Sequence, residues 1–382
     1  MNQQYLDHAA TSMPKDARVI AAMVECLQTG ATPDRGNHPG SRQGAQQVRL
    51  ARQRCAALLG DVDEQGIVFT LNATDSLNLV IKGLLQPGQS VVTTQVEHNS
   101  VSRPLRGLQA RMGLSIQVAP AASNGVVDAA EVLERVRPDT RLVVMSHASN
   151  VTGAIQPVAV VGAALRRDFP RARLLVDAAQ SAGYRTLNDV ADVADFIAAA
   201  GHKGPGGPLG TGLLWVRPGC RLTGFREGGT GTDSDRWRQP DELPVALEGG
   251  SPNLPGIAGL SEAVRIRLEE DGLENVAAQR RQAVGRFLAA AADLPGLQLF
   301  GPEQQREPVF PLRLSSYSVD EASVLLETHC GIEQRSGLHC SPGTHQALGT
   351  YPEGTLRLSF GAHVGAGDVS AAVEALQGVQ DF

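Results

Sequence analysis

The sequence has no paired-cysteine motif and no apolar run long enough to cross a membrane. Its cysteines are odd in number and form no CxxC motif; the five stand at positions 26, 55, 220, 330 and 340. A disulfide framework is therefore not expected, and a reducing cytoplasm fits this cysteine usage. A membrane span needs roughly 20 consecutive apolar residues. The first residues, MNQQYLDHAATS, lack the basic and apolar regions of a signal peptide. We expect a cytoplasmic protein with no membrane partner.

Neither sign of charge is concentrated along the chain. The 34 lysines and arginines and the 40 aspartates and glutamates leave a formal net charge of −6, and the sequence pI is about 5.9. Nucleic acid and anionic membranes are therefore not expected as partners. The arginines at 280, 281 and 286 are expected on one solvated helix face.

The chain does have ample apolar material for a folded core. It contains 382 residues, of which 42% are hydrophobic and 19% are charged, an ordinary balance for a globular protein. Length alone favours two domains, weakly. The 42 glycines lie largely in loops, and the sequence contains no internal repeat.

Short apolar segments of strand length alternate with helical segments through the middle of the chain. Strands are expected at 67–70, 90–94, 115–119, 142–145, 174–177, 195–199 and 212–216. Helices are expected between most of them, at 76–85, 100–112, 128–136 and 157–168. This alternation predicts an α/β protein with a mostly parallel sheet and helices on both faces. Helices at 17–28 and 44–59 precede it, with Ser12 as the predicted cap of the first and a polar loop at 31–43.

The C-terminal third predicts a second, smaller α/β domain. Strands are expected near 297–300, 308–314 and 355–360, and helices at 320–329 and 367–377. Two helices, one starting at Ser251 or Asn253 and running towards 270 and one at 273–293, are expected to form the hinge. We expect residues 1–15 to pack with the small domain, residues 16–255 to form the large domain and residues 256–382 to form the small one.

A glycine- and proline-rich turn separates the last two strands of the central pattern. Residues 201–212 read GHKGPGGPLGTG, a composition that no helix tolerates. Lys203 lies at the mouth of this turn. A lysine held there and stripped of water has a lowered pKa, and its neutral amine can act as a nucleophile that forms a Schiff base. On its own, Lys203 could equally be a solvated loop lysine.

A carboxylate accompanies Lys203 at the end of a neighbouring strand. Asp177 follows the apolar run Leu174–Val176 and precedes Gln180, and open α/β sheets bind ligands at the carboxyl ends of their strands. Pyridoxal 5′-phosphate (PLP) needs a lysine for its aldehyde and a carboxylate for its pyridine nitrogen. The aspartate strand followed by the Gly-His-Lys turn resembles the class V aminotransferase family of fold-type I PLP enzymes. That resemblance implies a large domain with a mostly parallel seven-stranded sheet and a smaller C-terminal α/β domain.

A strand-to-helix corner at residues 70–74 is a candidate phosphate site. Free N–H groups at a helix N-terminus bind phosphate, although an ordinary helix cap by Asn72 explains the same residues. In the class V family the corresponding corner grips the PLP phosphate, and Ala73 and Thr74 match it. The resemblance also implies phosphate contacts from His202 and, through the other subunit, from Ser251.

The stretch RSGLHCSP, residues 335–342, carries the second informative motif. Cys340 lies in a short loop bounded by glycine and proline, and Arg335 and His339 are expected to favour its thiolate. A buried, inert cysteine is the alternative. A metal site formed by His339, Cys340 and His345 is only weakly indicated, because no paired CxxC accompanies it. No resident metal is expected.

Together with GTLRLSFG, residues 354–361, this motif resembles the cysteine desulfurase and selenocysteine lyase branch of class V. The resemblance covers nearly the whole chain, in matching order. It implies removal of sulfur from L-cysteine, which gives L-alanine and a persulfide on Cys340. The compact loop between Arg335 and Cys340 resembles the branch that hands its persulfide to a separate acceptor protein, and the family is homodimeric.

The resemblance implies a role for each matching residue. Lys203 holds PLP and then moves protons, and Asp177 stabilises the pyridinium. His98 stacks on the ring, and Gln180 reaches the phenolic oxygen with Asn150 beside it. Arg357 binds the substrate carboxylate, and Asn150 and Arg335 are also predicted to contact the substrate.

Three departures from the family pattern leave other functions open. Ala200 stands where many relatives have a phosphate-binding serine, so weaker phosphate affinity is expected. The segment after the last strand lacks the usual Asn-Thr pair. The 228–250 segment is long and polar, which fits a different partner or substrate. The alternatives are a selenocysteine lyase, an aminotransferase or C–S lyase for another small amino acid, and a non-catalytic PLP-fold scaffold.

Overall fold

The computed structural model describes residues 3–33, 36–231 and 235–380. Its strands are β1 (Gln4–Tyr5), β2 (Ile67–Thr70), β3 (Ser90–Thr94), β4 (Ser115–Ala119), β5 (Thr140–Ser146), β6 (Arg173–Asp177), β7 (Phe196–Ala200), β8 (Gly212–Val216), β9 (Leu297–Leu299), β10 (Val309–Leu314), β11 (Ile332–Glu333), β12 (Arg335–Gly337) and β13 (Thr355–Ser359). Its helices are α1 (Ala17–Thr29), α2 (Pro39–Leu58), α3 (Ala73–Leu84), α4 (Asn99–Met112), α5 (Ala129–Leu133), α6 (Val158–Asp168), α7 (Asn188–Val193), α8 (Leu254–Arg265), α9 (Leu273–Ala291), α10 (Val319–Cys330), α11 (Pro342–Ala347) and α12 (Ala366–Gln380).

The large sheet has seven strands in the order β2-β8-β7-β6-β5-β3-β4. The pairs β7-β6, β6-β5, β5-β3 and β3-β4 are parallel, whereas β8 runs antiparallel to both of its neighbours. The predicted mostly parallel seven-stranded sheet is therefore confirmed. Because the carboxyl ends of parallel strands meet at one edge, Thr94, Ser146, Asp177 and Ala200 share that edge.

Helices cover both faces of this sheet. Successive residues of β5 alternate between two hydrophobic clusters, with Val143 and Met145 in one and Leu142 and Val144 in the other. All four are fully buried, and each buried aliphatic side chain contributes roughly 1.5–3 kcal/mol. The resulting core is rigid and fixes the strand ends from which the site is built.

A second sheet lies in the C-terminal part, in the order β12-β13-β10-β9 with antiparallel pairing throughout. It shares a hydrophobic cluster with helices α9, α10 and α12, and Leu6 of the N-terminal segment belongs to the same cluster. The segment also pairs with β11 through β1, and these two parallel strands form a separate two-stranded sheet. The first residues of the chain therefore pack against its C-terminal third.

Three details of the sequence prediction are wrong. The polar loop expected up to residue 43 ends at His38, whose ring caps α2, and Pro39 opens that helix, as proline can at a first helical position. Asp16, not Ser12, caps α1. Arg280 is not solvated: it is 2% exposed, its Nε donates to Glu307 at 2.9 Å, and it stacks on the Tyr184 ring.

Within the described residues, no helix combines the length and apolarity that a membrane span requires.

Candidate active site

Lys203 lies in the turn between β7 and β8, at the carboxyl edge of the large sheet. The two strands pair from Phe196↔Val216 to Ala200↔Gly212, so the intervening residues form a closed, irregular loop. Gly206 and Gly210 have φ angles of 86° and 79°, a region that residues with a side chain rarely adopt. Burial lowers the pKa of Lys203 to about 8, and the neighbouring Asp177 charge opposes that shift. A substantial fraction of neutral amine therefore exists near neutral pH.

The N-terminal segment holds the residue before this lysine. The carbonyl oxygen of His202 accepts hydrogen bonds from the Ser12 N–H at 3.0 Å, from the Thr11 and Ser12 hydroxyls at 3.1 Å each and from the Lys15 ammonium at 2.8 Å. The His202 ring also contacts the Thr11 hydroxyl at 3.1 Å. Burial lowers the pKa of the His202 ring to about 4, so the ring is neutral and can accept or donate one hydrogen bond.

Asp177 is the last residue of β6 and is 6% exposed. Its Oδ1 accepts the Ala179 N–H at 2.9 Å. Burial raises the pKa of the carboxyl, while the Ala179 hydrogen bond and the Lys203 charge oppose the rise. Such a group becomes a stable carboxylate when a cation is bound beside it. A protonated pyridine nitrogen would supply that cation.

The N-terminus of α3 follows β2 directly. Asn72 caps the helix by accepting the Asp75 N–H at 2.9 Å. Among the described residues, the amides of Ala73 and Thr74 make no hydrogen bond to another part of the chain, so both remain available to an anion. Ala73 packs with Ala179 and Ala200 in a cluster of small buried side chains. This cluster brings the ends of β6 and β7 against the N-terminus of α3.

His98 precedes α4 and caps it. Its Nδ1 accepts the Ser100 N–H at 3.0 Å and lies 2.9 Å from the Ser100 hydroxyl. The same hydroxyl lies 2.7 Å from the Thr74 hydroxyl. Burial, reinforced by the Lys203 charge, lowers the pKa of His98 to about 4. The ring is therefore neutral, and a hydrogen-bonded path links it to the α3 corner.

Gln180 and Asn150 are both tied to segments that close the site. The Gln180 side-chain amide donates to the Ala9 carbonyl at 2.8 Å, and Gln180 is 5% exposed. The Asn150 amide donates to the His339 carbonyl at 2.7 Å. Each amide retains a second N–H. The two predicted residues thus anchor the N-terminal segment and the cysteine loop.

Arg357 lies in the centre of the C-terminal sheet and is 1% exposed. Its Nη1 donates to the Asn150 carbonyl at 3.1 Å, and its Nη2 forms an ion pair with Asp7. Its Nε is buried without a partner. Burial lowers the pKa of this guanidinium, and an unsatisfied buried donor is costly. The orphaned N–H fits a site that awaits an anionic ligand. On the adjacent strand, Arg335 pairs with Arg357 in register.

Cys340 sits in a tightly held loop beside His98. Both His339 and Cys340 adopt left-handed backbone conformations, with φ of 48° and 59°, and the Cys340 carbonyl accepts the Asn99 N–H at 2.7 Å. The Sγ lies 3.5 Å from the Arg335 Nη2. Such strained positions cluster at functional sites.

His339 does not face the thiol, contrary to the sequence expectation. Its ring lies between the Arg335 carbonyl at 3.2 Å and the His345 ring at 3.3 Å. Burial holds the pKa of His339 well below its usual value. The ring is therefore neutral and supplies no positive charge that would stabilise a thiolate at Cys340. Among the described residues, no group of three or more histidine, cysteine, aspartate or glutamate side chains is arranged to hold a metal.

Ser251 stands apart from the other predicted residues. It is exposed and lines a cavity of about 300 Å³ with Leu71 and Gly210, on the outer side of the α3 corner. The structure therefore brings the remaining predicted residues together at one sheet edge, but not Ser251. Sequence reasoning missed the ion pair of Asp7 and the contacts that Thr11, Ser12 and Lys15 make with His202. No local pattern in residues 5–15 indicated them.

The fold and the site together define the fold-type I class of PLP enzymes. The chain belongs to the class V aminotransferase family, because the family model Aminotransferase class-V matches residues 4–371.

Its relatives include cysteine desulfurases along nearly their full length. A probable cysteine desulfurase of Pyrococcus abyssi is 32% identical, over 93% of this chain and 89% of that protein. Cysteine desulfurase IscS of Vibrio cholerae serotype O1 El Tor Inaba is 32% identical, over 98% of this chain and 91% of that protein. The apo structure of a cysteine desulfurase from Thermococcus onnurineus NA1 superimposes with a TM-score of 0.91 at 30% identity, over 100% of this chain and 95% of that one. The predicted resemblance to this branch is confirmed.

Proposed function

We propose that this protein is a PLP-dependent cysteine desulfurase. It removes sulfur from L-cysteine and releases L-alanine, and the sulfur remains as a persulfide on Cys340. The observation that carries the proposal is Cys340 itself: its thiol lies 3.5 Å from Arg335 Nη2 in a loop anchored beside His98, in a chain whose relatives are named cysteine desulfurases.

The described residues fit PLP as the resident cofactor. The free amides of Ala73 and Thr74 and the ring of His202 suit the phosphate group. The buried Asp177 carboxylate suits a protonated ring nitrogen, Lys203 suits the aldehyde, and the neutral ring of His98 suits stacking. Gln180 retains an N–H for the phenolic oxygen. When bound, PLP supplies the electron sink that allows bonds at the substrate carbons to break.

The chain's own groups then bind the substrate and move protons and sulfur. The unpartnered N–H of Arg357 receives the substrate carboxylate, assisted by Asn150 and Arg335. Lys203, with its pKa near 8, takes and returns a proton at the substrate carbon. The Cys340 sulfur attacks the substrate sulfur, so a sulfur–sulfur bond forms while the carbon–sulfur bond breaks. The electron pair of the broken bond stays on carbon, which takes up a proton to become alanine.

Replacing the thiol tests the proposal. Cys340→Ala should abolish alanine and sulfide release from L-cysteine with a reductant present, while the absorbance of bound PLP stays at the wild-type level. Cys330→Ala is the matched control, since Cys330 is also partly buried but lies at the end of α10; it should retain full turnover. Turnover that survives in Cys340→Ala would mean PLP chemistry without a persulfide and would contradict the assignment.

We further propose a homodimer with its active sites at the subunit interface. Two large apolar side chains beside the site are exposed in the single chain: Leu71, next to the α3 corner, is 60% exposed and Leu209, in the lysine loop, is 69% exposed. A partner that covers them would also bring its Ser251 towards the phosphate. Sedimentation of the wild type and of Leu71→Asp should give a dimer for the first and a monomer for the second.

The product persulfide requires an acceptor, which we propose to be a separate protein in the cytoplasm. The sulfur it receives could serve iron–sulfur cluster assembly, thionucleosides or a dedicated natural product. A selenocysteine lyase would release selenide from selenocysteine and leave L-cysteine unchanged. An aminotransferase or C–S lyase would turn over without Cys340. A non-catalytic scaffold would purify without the yellow colour of bound PLP.

A further inference from the structure

Glu97 is a buried carboxylate that the proposed reaction does not use. It stands between β3 and His98 and is 3% exposed. Its Oε1 accepts the Thr94 hydroxyl at 2.6 Å and the Ser146 N–H at 3.1 Å, and its Oε2 accepts the Ser146 hydroxyl at 2.8 Å. A buried carboxylate is costly even when it is fully hydrogen-bonded. Such a group is expected to hold neighbouring segments in a defined arrangement.

These bonds tie the turn of residues 94–99 to the end of β5. Ser146 lies opposite Asp177 in the register of β5 and β6, so the turn is fixed next to the predicted cofactor carboxylate. Burial raises the pKa of Glu97 to about 7, with its three hydrogen bonds opposing the rise and the Asp177 charge adding to it. The carboxylate form accepts all three hydrogen bonds. In a neutral acid or an amide, Oε1 can still accept from the Thr94 hydroxyl and the Ser146 N–H, but the group at the Oε2 position becomes a donor that faces the Ser146 hydroxyl.

The same turn holds the cysteine loop from the other side. The Ser341 hydroxyl lies 3.0 Å from the Glu97 carbonyl and 3.2 Å from the Val96 carbonyl. The Asn99 N–H donates to the Cys340 carbonyl at 2.7 Å. We call the paired segments 94–99 and 340–344 the cysteine clasp. The clasp joins the segment that carries His98 to the loop that carries Cys340.

We infer that Glu97 is a positioning residue: its side chain fixes the cysteine clasp to the end of β5 and so sets where the Cys340 sulfur and the His98 ring stand relative to Asp177 and Lys203. The effect of Glu97 on catalysis rests on the proposed function. The effect of Glu97 on the position of the cysteine clasp does not. A displacement of about 1 Å at a reacting atom can cost a hundredfold in rate, so a group that never touches substrate can still control turnover.

The test measures how fast iodoacetamide alkylates Cys340 in the PLP-loaded protein without substrate, by peptide mass mapping. Glu97→Gln should alkylate about tenfold faster than the wild type, because the clasp is released. Ser341→Ala removes the hydroxyl that binds the Val96 and Glu97 carbonyls. Cys340 in this variant should also be alkylated faster than in the wild type. The double variant should be no faster than the faster single variant, since both changes break one unit. In turnover of L-cysteine, kcat should fall while KM changes little.

Asp195→Asn is the matched control. Asp195 is likewise buried at 7% exposure and accepts a backbone N–H, from Leu174 at 2.8 Å, but it stands at the opposite edge of the sheet. Its loss should lower stability and leave Cys340 alkylation at the wild-type rate. If Glu97→Gln does not fold, Thr94→Val removes one donor and keeps the carboxylate, and it should still accelerate alkylation.

Wild-type alkylation in Glu97→Gln or Thr94→Val would overturn the inference, as would multiplicative effects in the double variant. The proposed function fails separately. If the wild type forms no alanine from L-cysteine, the desulfurase assignment is lost, whereas the alkylation comparison still decides whether Glu97 holds the clasp.

Discussion

At the scale of single residues, Lys203 illustrates how a common side chain is given an uncommon property. Burial alone would depress its pKa further than the value of about 8, because the Asp177 and Asp7 charges act in the opposite direction while Arg357 and Arg335 add to the depression. Near neutral pH, Lys203 is therefore populated in both its protonated and its neutral form. A residue that must first act as a nucleophile and then exchange protons needs that balance.

Ala200 gives a prediction at the same scale. Its side chain packs against Ala73 at the α3 corner, so a hydroxyl at this position would face the proposed phosphate site. Ala200→Ser should lower the dissociation constant for PLP about tenfold, the effect of one charge-assisted hydrogen bond of roughly 1.4 kcal/mol. Fluorescence titration of the PLP-free protein measures it.

Ala199→Ser is the control for that change. Ala199 is fully buried, but the strand pleat points it to the opposite face of β7, so the added hydroxyl should leave PLP affinity unchanged or weaken it through lost stability. An unchanged or higher dissociation constant in Ala200→Ser would contradict the placement of the phosphate beside β7.

At the scale of elements, the N-terminal segment connects the C-terminal sheet to the lysine loop. Its Leu6 carbonyl accepts the N–H of Ser359, in β13, at 2.7 Å, and a few residues later Ser12 donates to the His202 carbonyl before Lys203. Sequence reasoning placed the strands of the large sheet within about two residues, because each is a buried apolar run bounded by turn residues. It missed β1, β11 and β12, which have two or three residues each and no apolar run of strand length.

The residues of the candidate site likewise separate into those with a local sequence pattern and those defined by contacts between distant segments. Asp177 and Lys203 could be predicted because both follow buried strands at the carboxyl edge. Glu97 lies three residues beyond the end of β3, but its role depends on Ser146 and Ser341, which are 49 and 244 residues away in the chain. Arg280 was misread for the same reason, since its partner Glu307 lies on another segment. Contacts between distant segments leave no local pattern in a sequence.

The contacts of the N-terminal segment predict a local effect. The double variant Thr11→Val, Ser12→Ala removes two hydroxyl donors to the His202 carbonyl, each contributing about 1 kcal/mol. Amide hydrogen exchange in peptides covering residues 201–211 should become at least about tenfold faster. Thr29→Val, which removes an exposed hydroxyl bound to Glu25 on α1, should leave that exchange unchanged. Wild-type exchange in the double variant would refute the role of the segment.

At the scale of the whole molecule, we propose that residues 16–255 form the large domain and residues 256–382 the small one, with residues 1–15 packed on the small domain. The hydrophobic clusters support this division for the N-terminal segment and for the end of the chain, because one cluster contains Leu6 together with residues from Ala283 to Val379. Leu260, Val264 and Leu273 instead belong to a cluster of the large sheet, so the start of the proposed small domain packs on the large one. Most predicted site residues come from the large domain, whereas Arg335, Cys340 and Arg357 come from the small one. The proposed active site therefore takes side chains from both proposed domains.

Buried neutral histidines predict acid sensitivity of the whole fold. Burial lowers the pKa of His8, His98, His202 and His345 to about 4 each and that of His147 to about 3. Unfolded histidine titrates near 6.5, so between these values the unfolded chain binds more protons than the folded one. The stability these groups contribute is present above pH 6.5 and is lost as pH falls towards 4. Glu97 and Asp177 act in the opposite direction, because burial raises the pKa of Glu97 to about 7 and also raises that of Asp177. They are two carboxyl groups against six imidazoles, since burial lowers the pKa of His339 as well.

Urea unfolding at fixed protein concentration measures the predicted loss of stability on acidification. The midpoint should be lower at pH 5.5 than at pH 7.5, with fully buried His147 alone contributing about 1 kcal/mol of the difference. His147→Gln should reduce the pH dependence by that amount. A midpoint that stays constant or rises on acidification would show that these imidazoles are not held neutral.

The central claim, that Cys340 receives the sulfur of L-cysteine, is tested most directly by mass spectrometry of the cysteine-loop peptide. PLP-loaded protein is mixed with L-cysteine without a reductant, and the alanine formed is counted per active site. The account predicts one alanine per site and one extra sulfur atom on the peptide that contains Cys340. Alanine without added sulfur on Cys340, or sulfur found on Cys330 instead, would contradict it.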